Sequence, residues 1–515
     1  GTIGSTPIRL RSGAIGAAWP GTLALRNLDV SMGPVDKPSV IKVAAFTGSL
    51  GKVVSGRFSG TEARLFAVPL DITEAEGQLR FANSMLDLTG ASLKVSDRAQ
   101  PGRFYTLTGR DAKLRLANNV ITAQTLLREP KSDREVVLAD IVHNLGTAVG
   151  HANLKFPGIL FDSKLQPDTL SYYASGVVAL AKGTVTGDGR IDWNPQGVTS
   201  TGKFSSDGLD FAAAFGPVKG AKGTVVFTDL LGMVTAPDQR LRIASINPGI
   251  EVFDGVLSFQ LEPNRLLVVN GAQWPFIDGT LKLLPTRMVL GNAEVRRFTL
   301  ELQGANAAKF VQQLDLANIN ATGIFDGTLP LVFDEEGGRI EKGLLISRPP
   351  GGNVSYVGEL TYKDLSAMGN FAFQTLRSLD FTRMEIGIDG KIDGDIVTNM
   401  RFEGVRQGPG AKRNFITRQL GNLPIRFNVN IRAPFYQLVT SFKSLYDPAY
   451  VRDPRTLGLI DAAGNPTLRP GTPVSPDPED LPPIKPNAVP VTPQPAPKPD
   501  EKTDDIQDSD SRNSP

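Results

Sequence analysis

The sequence predicts a mainly β protein built from antiparallel strands, and three observations support this. Short segments in which apolar and polar residues alternate occur throughout the chain. Turn-forming Gly, Pro, Asn and Asp separate these segments, and the 515 residues include 53 glycines. Aromatic residues make up only 7%, which is typical of slim strands joined by many turns. Because successive side chains of a strand point to opposite faces, such a chain forms sheets with one apolar face and one polar face.

The first 300 residues or so are predicted to be a succession of short strands. Strands at regular spacing with turn signals between them are typical of a sandwich, a barrel or an extended meander. No fixed-period repeat of the solenoid kind is present. Predicted strands include residues 8–10, 23–25, 79–81, 86–88, 93–95, 114–116, 191–193, 225–227, 257–261 and 281–283.

Two stretches depart from the strand pattern and predict helices. Apolar residues fall at helical spacing over 306–318 and again over 359–380. Between these helices, the sequence Glu-Glu-Gly-Gly at 335–338 predicts a hairpin turn. After the second helix, a strand over 384–388, a turn at 389–390 and further strands are expected.

The last predicted strand, over 425–432, shows the clearest alternation in the chain. From residue 465 onward the sequence is rich in proline and then acidic, so we expect a disordered tail that buries too little apolar surface to fold. The predicted divisions of the chain are 1–222, 223–302, 303–464 and 465–515.

Composition excludes several classes of protein. The net charge is +2, and Lys and Arg do not cluster in a stripe, which argues against nucleic acid as a main partner. There is no cysteine, so disulfides, thiolate metal sites and thiol nucleophiles are excluded. The sequence contains no run of about 18 apolar residues, the length needed to cross a bilayer. Because the chain begins at Gly1 in strand-like sequence, we expect an upstream signal or anchor segment.

The side chains that could bind a metal or act in catalysis are interpreted as structural residues. His143 and His151 match no metal-binding spacing, and no metal site is predicted. The acidic run at Asp389, Asp393 and Asp395 lacks the order of a calcium loop and instead predicts a hairpin. The carboxylates of Asp334 and Glu335 are interpreted as solvated turn residues.

The chain is predicted not to be an enzyme and to need no cofactor. It contains no nucleophile elbow, no phosphate-binding loop, no dinucleotide fingerprint and no zinc-protease sequence. No catalytic residue is therefore proposed. On periodicity alone, a closed sandwich is favoured over an open channel, since apolar sheet faces usually pack against a second sheet about 10 Å away.

The C-terminal half carries motifs that favour the open channel over the closed sandwich. Over roughly 220–445 the chain resembles the AsmA-like superfamily, and specifically its YdbH-like branch of intermembrane phospholipid transport proteins. Each motif is weak alone, and their order carries the resemblance. The motifs are Gly249-Ile250, Pro275-Phe276-x-x-Gly279, Pro285, the sequence GTLPL at 327–331, GRIxxG at 338–343, Pro350-Gly351 and the strand NVNIRAP at 428–434.

This resemblance implies a fold and a function. The fold it implies is a long curled antiparallel sheet, a β-taco, with an apolar groove. The function it implies is that this groove carries phospholipid across the periplasm between the inner and outer membranes of a Gram-negative envelope. It also implies an inner-membrane anchor before the first residue here, and a small outer-membrane lipoprotein as a partner. The Pro-rich tail is not part of the family pattern.

Alternation along the strands selects candidate residues for the groove. They are Leu257, Phe259, Leu261, Leu281, Leu283, Ile386, Ile388, Phe427, Val429 and Ile431. Two alternatives remain open at this point. The first is a structural or adhesive envelope protein with a closed β core, and the second is a carbohydrate-active β enzyme, which requires a pair of carboxylates about 5–10 Å apart.

Overall fold

The structure is a computed structural model. It describes residues 2–3, 6–33, 38–66, 68–100, 102–174, 178–213, 216–246, 252–290, 295–313, 319–334, 337–356, 378–391, 395–407 and 428–434. The tail predicted to be disordered from residue 465, the residue Phe427 and most of the second predicted helix lie outside these ranges.

Strands dominate the described chain, as the alternation predicts. In chain order the strands are β1 (Thr2–Ile3), β2 (Thr6–Ala17), β3 (Gly21–Met32), β4 (Ser39–Leu50), β5 (Val54–Arg64), β6 (Leu70–Ala82), β7 (Met85–Asp97), β8 (Leu107–Ala117), β9 (Val120–Arg128), β10 (Glu135–Asn144), β11 (Val149–Phe161), β12 (Ala179–Asn194), β13 (Gly197–Ala213), β14 (Gly216–Asp229), β15 (Val234–Thr235), β16 (Gln239–Ile246), β17 (Val252–Glu262), β18 (Leu266–Phe276), β19 (Gly279–Leu283), β20 (Thr286–Val289), β21 (Arg296–Asn306), β22 (Ile319–Ala321), β23 (Ile324–Asp334), β24 (Gly337–Ser347), β25 (Gly352–Tyr356), β26 (Leu379–Phe381), β27 (Arg383–Lys391), β28 (Asp395–Glu403), β29 (Arg406–Gln407) and β30 (Asn428–Pro434).

One antiparallel sheet of 26 strands contains most of these elements. It is a meander, because most strands pair with the strands before and after them in the chain, as β3 does with β2 and β4. Strands β19 and β20 together occupy one position beside β18. Within the described residues, β1 and β30 each pair with a single neighbour, so the sheet keeps two edges and is not closed.

The N-terminal part of this sheet is strongly curled. The hydroxyl of Thr6, at the start of β2, donates a hydrogen bond to the carbonyl of Leu145, in the turn after β10. In a flat sheet, strands eight positions apart lie about 40 Å from one another. The contact therefore requires the sheet to curl between β2 and β10.

A smaller sheet and two short helices complete the described fold. Strands β22, β25, β26 and β29 form a second, four-stranded sheet. Helix α1 spans Pro167–Leu170, and helix α2 spans Ala307–Gln313. A single 3-10 turn covers Pro263–Arg265.

Helix α2 confirms the first predicted helix over its described residues. Of the second predicted helix, 359–377 lie outside the described residues, and its last positions are wrong because Leu379 begins β26. The Leu379 side chain lies in a buried cluster that also contains Phe381.

Two further expectations need correction. The segments 86–88 and 93–95 belong to one strand, β7, because the chain continues through a register shift between Leu88 and Ala91. The turn expected at Asp389 and Gly390 is wrong, since both residues are inside β27 and pair with β28. The predicted hairpin itself is confirmed, as is the hairpin of β23 with β24.

Candidate functional site

One face of the main sheet, which we call the apolar face, carries rows of apolar residues that run from strand to strand. The longest row crosses twelve strands, from β2 to β13. Its first eleven members are apolar, its last is Ser200, whose hydroxyl donates to Asp229, and no member is charged. Its members are successive register partners: Ala17, Leu23, Gly48, Gly56, Leu79, Leu88, Leu114, Ala123, Ile141, Ala152, Ile191 and Ser200.

The length of this row distinguishes it from an ordinary ligand pocket. Neighbouring strands lie about 4.8 Å apart, so a row across twelve strands is about 50 Å long when it is followed along the curled sheet. The hydrocarbon core of an entire bilayer is only about 30 Å thick. A continuous apolar band of this length suits a chain-like or mobile apolar ligand rather than one compact molecule.

A second row crosses the C-terminal part of the sheet and brings together three predicted groove residues, Leu281, Ile386 and Val429. These residues are far apart in the sequence, and only the register of the strands makes them members of one row. The row is Trp274, Leu281, Leu302, Gly327, Leu345, Ile386, Met400 and Val429.

A third row lies beside the second and contains the predicted residues Leu257 and Leu283. Its members are Leu241, Leu257, Ala272, Leu283, Leu300 and Leu329. Leu281 and Leu283 alternate on β19, so the second and third rows share the apolar face.

The remaining predicted residues occupy three further positions. Phe259 is opposite Gln239 and only 9% exposed, and Leu261 is opposite Leu267. Ile388 and Ile431 both pair with Thr398. Phe427 lies outside the described residues.

The long row is only partly covered. Leu79, Leu88, Leu114, Ile141 and Ile191 are half-buried, whereas the core residues of a sandwich between two sheets are mostly buried. The side chains in the middle of the row therefore remain accessible on the apolar face. The partial exposure of these side chains differs from the burial expected in the closed sandwich that periodicity alone favours.

The opposite face of the sheet carries charges in a complementary pattern. Arg11, Asp29, Lys42 and Glu62 are successive partners across β2 to β5, so opposite charges alternate along the row. Cross-strand pairs of opposite charge are favourable on a wet sheet face. This pattern identifies the charged face as the one in contact with water.

Two connections fold over one end of the apolar face. These are the described residues of the β7–β8 connection (98–100 and 102–106) and of the β11–β12 connection (162–174 and 178), which includes α1, and together we call them the cap. Phe104 and Leu170 of the cap pack against a buried cluster. That cluster comprises Val95, Leu107, Leu127, Val136, Val137, Ile159, Phe161, Leu165 and Ala181.

A buried ion pair holds the first cap segment. Arg103 donates to Asp97 from Nη2 at 2.6 Å, from Nε at 2.8 Å and from its backbone N at 2.7 Å. The Asp97 side chain is 0% exposed. Burial by itself raises the pKa of Asp97, but the hydrogen bonds from Arg103 and Ala99 outweigh it, and the pKa lies below its usual value.

Gln166 holds the second cap segment to β12. Its side-chain amide donates to the carbonyl of Ala181 at 2.9 Å and accepts from the N–H of Ala181 at 2.8 Å. It also donates to the carbonyl of Asp162 at 2.6 Å. The two segments join where Ser171 Oγ donates to the carbonyl of Arg103 at 2.8 Å.

The apolar face includes one histidine, and its partner is a tryptophan two strands away. Trp193 Nε1 donates to His143 Nδ1 at 3.1 Å. The two residues and the intervening Gly150 are register partners on β10, β11 and β12. Burial lowers the pKa of His143, although a hydrogen bond to the backbone of Val149 acts in the opposite direction.

The indole N–H of a similar tryptophan on β18 makes no hydrogen bond to any residue that the structure describes. This residue, Trp274, is 7% exposed and lies against Gly255 of β17. The surrounding cluster is apolar, and Leu257, Leu281 and Leu283 pack on it.

The small sheet packs on the C-terminal end of the main sheet. Leu379 and Phe381 of β26 form a buried cluster with Phe325, Met384 and Phe402 of the main sheet. Ile386 and Met400 of the second row pack against this cluster. The apolar face is therefore covered locally at this end, as it is by the cap.

Sequence reasoning found the alternation of the N-terminal strands but proposed no groove residue there. Leu79, Leu88, Leu114 and Ile191 all belong to segments predicted as strands, so the signal for the long row was present in the alternation. The tryptophans over glycines were not predicted, because the glycine and the tryptophan come from different strands. Only the register shows that they are neighbours.

Among the described residues, no group of three or more acidic or histidine side chains is arranged to hold a metal ion. None of the described helices has the length and apolar character needed to span a bilayer.

Comparison with known proteins identifies a family. The family model described as "YdbH-like: Intermembrane phospholipid transport protein YdbH" matches residues 1–457, which is most of the chain. No curated protein and no solved structure matches the chain significantly.

Proposed function

The chain belongs to the YdbH-like family of intermembrane phospholipid transport proteins, and on that premise we propose that it carries phospholipid along the apolar face of its sheet between the inner and outer membranes of a Gram-negative envelope. The family is one of transport proteins rather than enzymes. In this proposal no bond of the lipid is made or broken, and no cofactor is required.

The long, partly exposed row from Ala17 to Ser200 is the observation that supports the proposal. An acyl chain that lies on this row is removed from water, and each buried methylene contributes about 0.8 kcal/mol. The row contains no charge that would oppose its passage. Because the contacts are non-directional, an acyl chain can move along the row without breaking specific bonds.

We place the lipid on the N-terminal row and on the two C-terminal rows. In the C-terminal part, Leu257, Phe259, Leu261, Leu281, Leu283, Ile386, Ile388, Phe427, Val429 and Ile431 are the proposed contacts. The head group stays in water beyond the edge of the apolar face, since transferring a charged group into apolar surroundings is costly.

The placement in the cell completes the proposal. Intermembrane transport implies the cell envelope, and we propose a periplasmic position with an inner-membrane anchor preceding Gly1. A small outer-membrane lipoprotein is the proposed partner at the far end. In this proposal the movement of lipid is passive or driven by another protein, since the sequence contains no nucleotide-binding loop.

Site-specific photo-crosslinking tests the proposal. A photoreactive amino acid replaces Leu114 or Phe259 on the apolar face, and matched controls carry it at the adjacent Lys113 or Ser258 on the opposite face. After irradiation in cells, mass spectrometry of the purified protein should find phospholipid attached at both apolar positions and at neither control.

Folded protein with no adduct at either apolar position would contradict the proposal. In that case the apolar face is the packed core of a structural or adhesive β protein. Adducts at all four positions would also contradict it, because they would indicate nonspecific exposure to membrane rather than a defined lipid path.

A further inference from the structure

The two edges of the sheet differ in charge between β6 and β13. These strands form an antiparallel meander, so their connections lie alternately on one edge and on the other. Four of the connections are short turns on one edge, which we call the neutral rim. They are residues 83–84, 118–119, 145–148 and 195–196, and the structure describes each of them in full.

The neutral rim contains no charged residue. Its four turns read Asn-Ser, Asn-Asn, Leu-Gly-Thr-Ala and Pro-Gln. On the opposite edge, which includes the cap, all three connections between β7 and β12 carry charges, among them Arg103, Lys131 and Asp162. A head group passing one edge therefore meets different electrostatic surroundings from a head group passing the other.

Turn geometry does not account for the missing charges. Asn83 and Asn118 have φ of 51° and 49°, a left-handed conformation that favours Gly, Asn and Asp. Elsewhere in this chain Asp133 and Asp278 adopt the same conformation, with φ of 58° and 63°. Aspartate therefore fits such turns, and its absence from the neutral rim calls for another explanation.

The apolar face is covered beside the opposite edge and open beside the neutral rim. The cap packs on the covered part, where Leu165 is 0% exposed. Leu127 belongs to the same buried cluster and shares a face of β9 with Ala123 of the long row, because the two are an even number of residues apart. Beside the neutral rim, by contrast, Phe81 is 47% exposed. A head group whose acyl chains lie on the long row therefore reaches water over the neutral rim.

The neutral rim also runs parallel to the long row. On every strand from β6 to β13, the member of the long row is four residues from the turn, as Leu79 is from Asn83, which is about 13 Å along a strand. Acyl chains on the long row can thus extend over apolar side chains as far as the turns. On β6 to β9 the register partners in between are Phe81, Leu86, Leu116 and Ile121.

We infer that the head groups of carried phospholipids move along the neutral rim, and that the protein therefore takes zwitterionic and anionic diacyl phospholipids without discriminating between their charges. This inference rests on the proposed lipid-carrying function. A fixed lysine on the rim would hold an anionic head group and a fixed aspartate would repel it. Neutral amides and hydroxyls offer hydrogen bonds to both kinds of head group.

Lipid loading from mixed vesicles tests the inference. The purified protein is incubated with vesicles that contain zwitterionic phosphatidylethanolamine and anionic phosphatidylglycerol in equal amounts. It is then separated from the vesicles, and mass spectrometry measures the ratio of the two lipids bound. We expect the wild type to bind them in a ratio within about twofold of the vesicle composition, because no fixed charge on the rim attracts or repels either head group.

Lysines placed on the neutral rim should create the missing preference. Thr147 and Gln196 are exposed, and the hydrogen bonds that they donate to Asn144 and Asn194 come from the backbone. The double variant Thr147→Lys with Gln196→Lys should enrich phosphatidylglycerol about three- to tenfold, the effect of one or two lysines close to an anionic lipid. Ser163→Lys, exposed on the opposite edge, is the control and should leave the ratio unchanged.

Three results would overturn the inference while leaving the proposed function intact. They are a wild type that enriches one lipid by more than about twofold, a folded T147K/Q196K variant with the wild-type ratio, and an S163K variant that shifts the ratio as much as the rim lysines do. Circular dichroism establishes that the variants are folded. If the wild type bound neither lipid, the proposed function itself would be wrong, and this inference would fail with it.

Discussion

Trp193 and His143 form a hydrogen bond of 3.1 Å across an intervening strand, with Nε1 as the donor and Nδ1 as the acceptor. The bond specifies the neutral tautomer of His143 that carries its proton on Nε2, because Nδ1 must be free to accept. It also satisfies the two polar groups that the register places among Leu116, Ile121 and Gly150. The apolar face can thus include a histidine without an unpaired donor at Trp193.

Acid should weaken the protein through His143. Its folded-state pKa lies below the unfolded value, so the unfolded chain binds more protons between those two pKa values. The stability contribution is therefore complete above a pH of about 6.5 and is lost as the pH falls toward the folded-state pKa. Urea midpoints measured between pH 8 and pH 5 should show this loss in the wild type.

The variant His143→Gln tests this assignment. Its glutamine does not titrate and can still accept from Trp193, so the midpoint of the variant should vary less over this pH range than that of the wild type. Equal pH dependence in the wild type and H143Q would show that His143 is not responsible.

Gly150→Ala should disturb the apolar face. The new Cβ would lie 2.6 Å from the Trp193 ring, so the indole must move and lose its bond to His143. We expect a loss of about 1–3 kcal/mol in the free energy of unfolding, as for other overpacked sites. Gly208→Ala is the control, since its Cβ would meet nothing within 4 Å. Urea unfolding followed by tryptophan fluorescence compares the two, and equal stability would refute the contact.

Asp97→Asn should release the cap. The change leaves the guanidinium of Arg103, whose side chain is 15% exposed, without its carboxylate. Breaking a buried ion pair by removing one partner costs about 3–5 kcal/mol. Hydrogen exchange over 98–106 and 162–178 should accelerate together, because Ser171 binds the carbonyl of Arg103.

The control for the cap is an exposed ion pair. Arg57 and Glu76 lie 3.2 Å apart with side chains 61% and 44% exposed. Arg57→Gln should change stability by at most about 1 kcal/mol. If D97N were no more destabilising than R57Q, the buried pair would not be what holds the cap.

Leu114→Glu should block lipid transfer while leaving the fold intact. Leu114 is half-buried in the middle of the long row, so a charge there lies in the proposed path of the acyl chains. We expect transfer between donor and acceptor vesicles to fall at least about tenfold, given the cost of placing apolar chains against a buried charge. Lys113→Glu, on the opposite face of the same strand, should transfer lipid normally. Normal transfer by a folded L114E would exclude this row from the path.

Much of the local structure followed from alternation alone. The segment 257–261 reads as a strand because Leu257, Phe259 and Leu261 alternate with polar residues, and the strand β17 confirms it. The hairpin between β23 and β24 followed from its glycines. Where the sequence prediction was wrong, as for Leu379 at the end of the second predicted helix, apolar spacing over a few residues fitted both a helix and a strand, and tertiary packing decided between them.

The sequence by itself determined that the chain forms strands with one apolar and one polar face, because side-chain alternation is a local property of the backbone. Only the tertiary structure decided which strands are neighbours and in what register. The row that joins Leu281, Ile386 and Val429 depends on that register, and so does the hydrogen bond between Trp193 and His143. Pairing between strands is set by contacts between residues distant in the chain, and a shift of one residue would move every side chain to the other face.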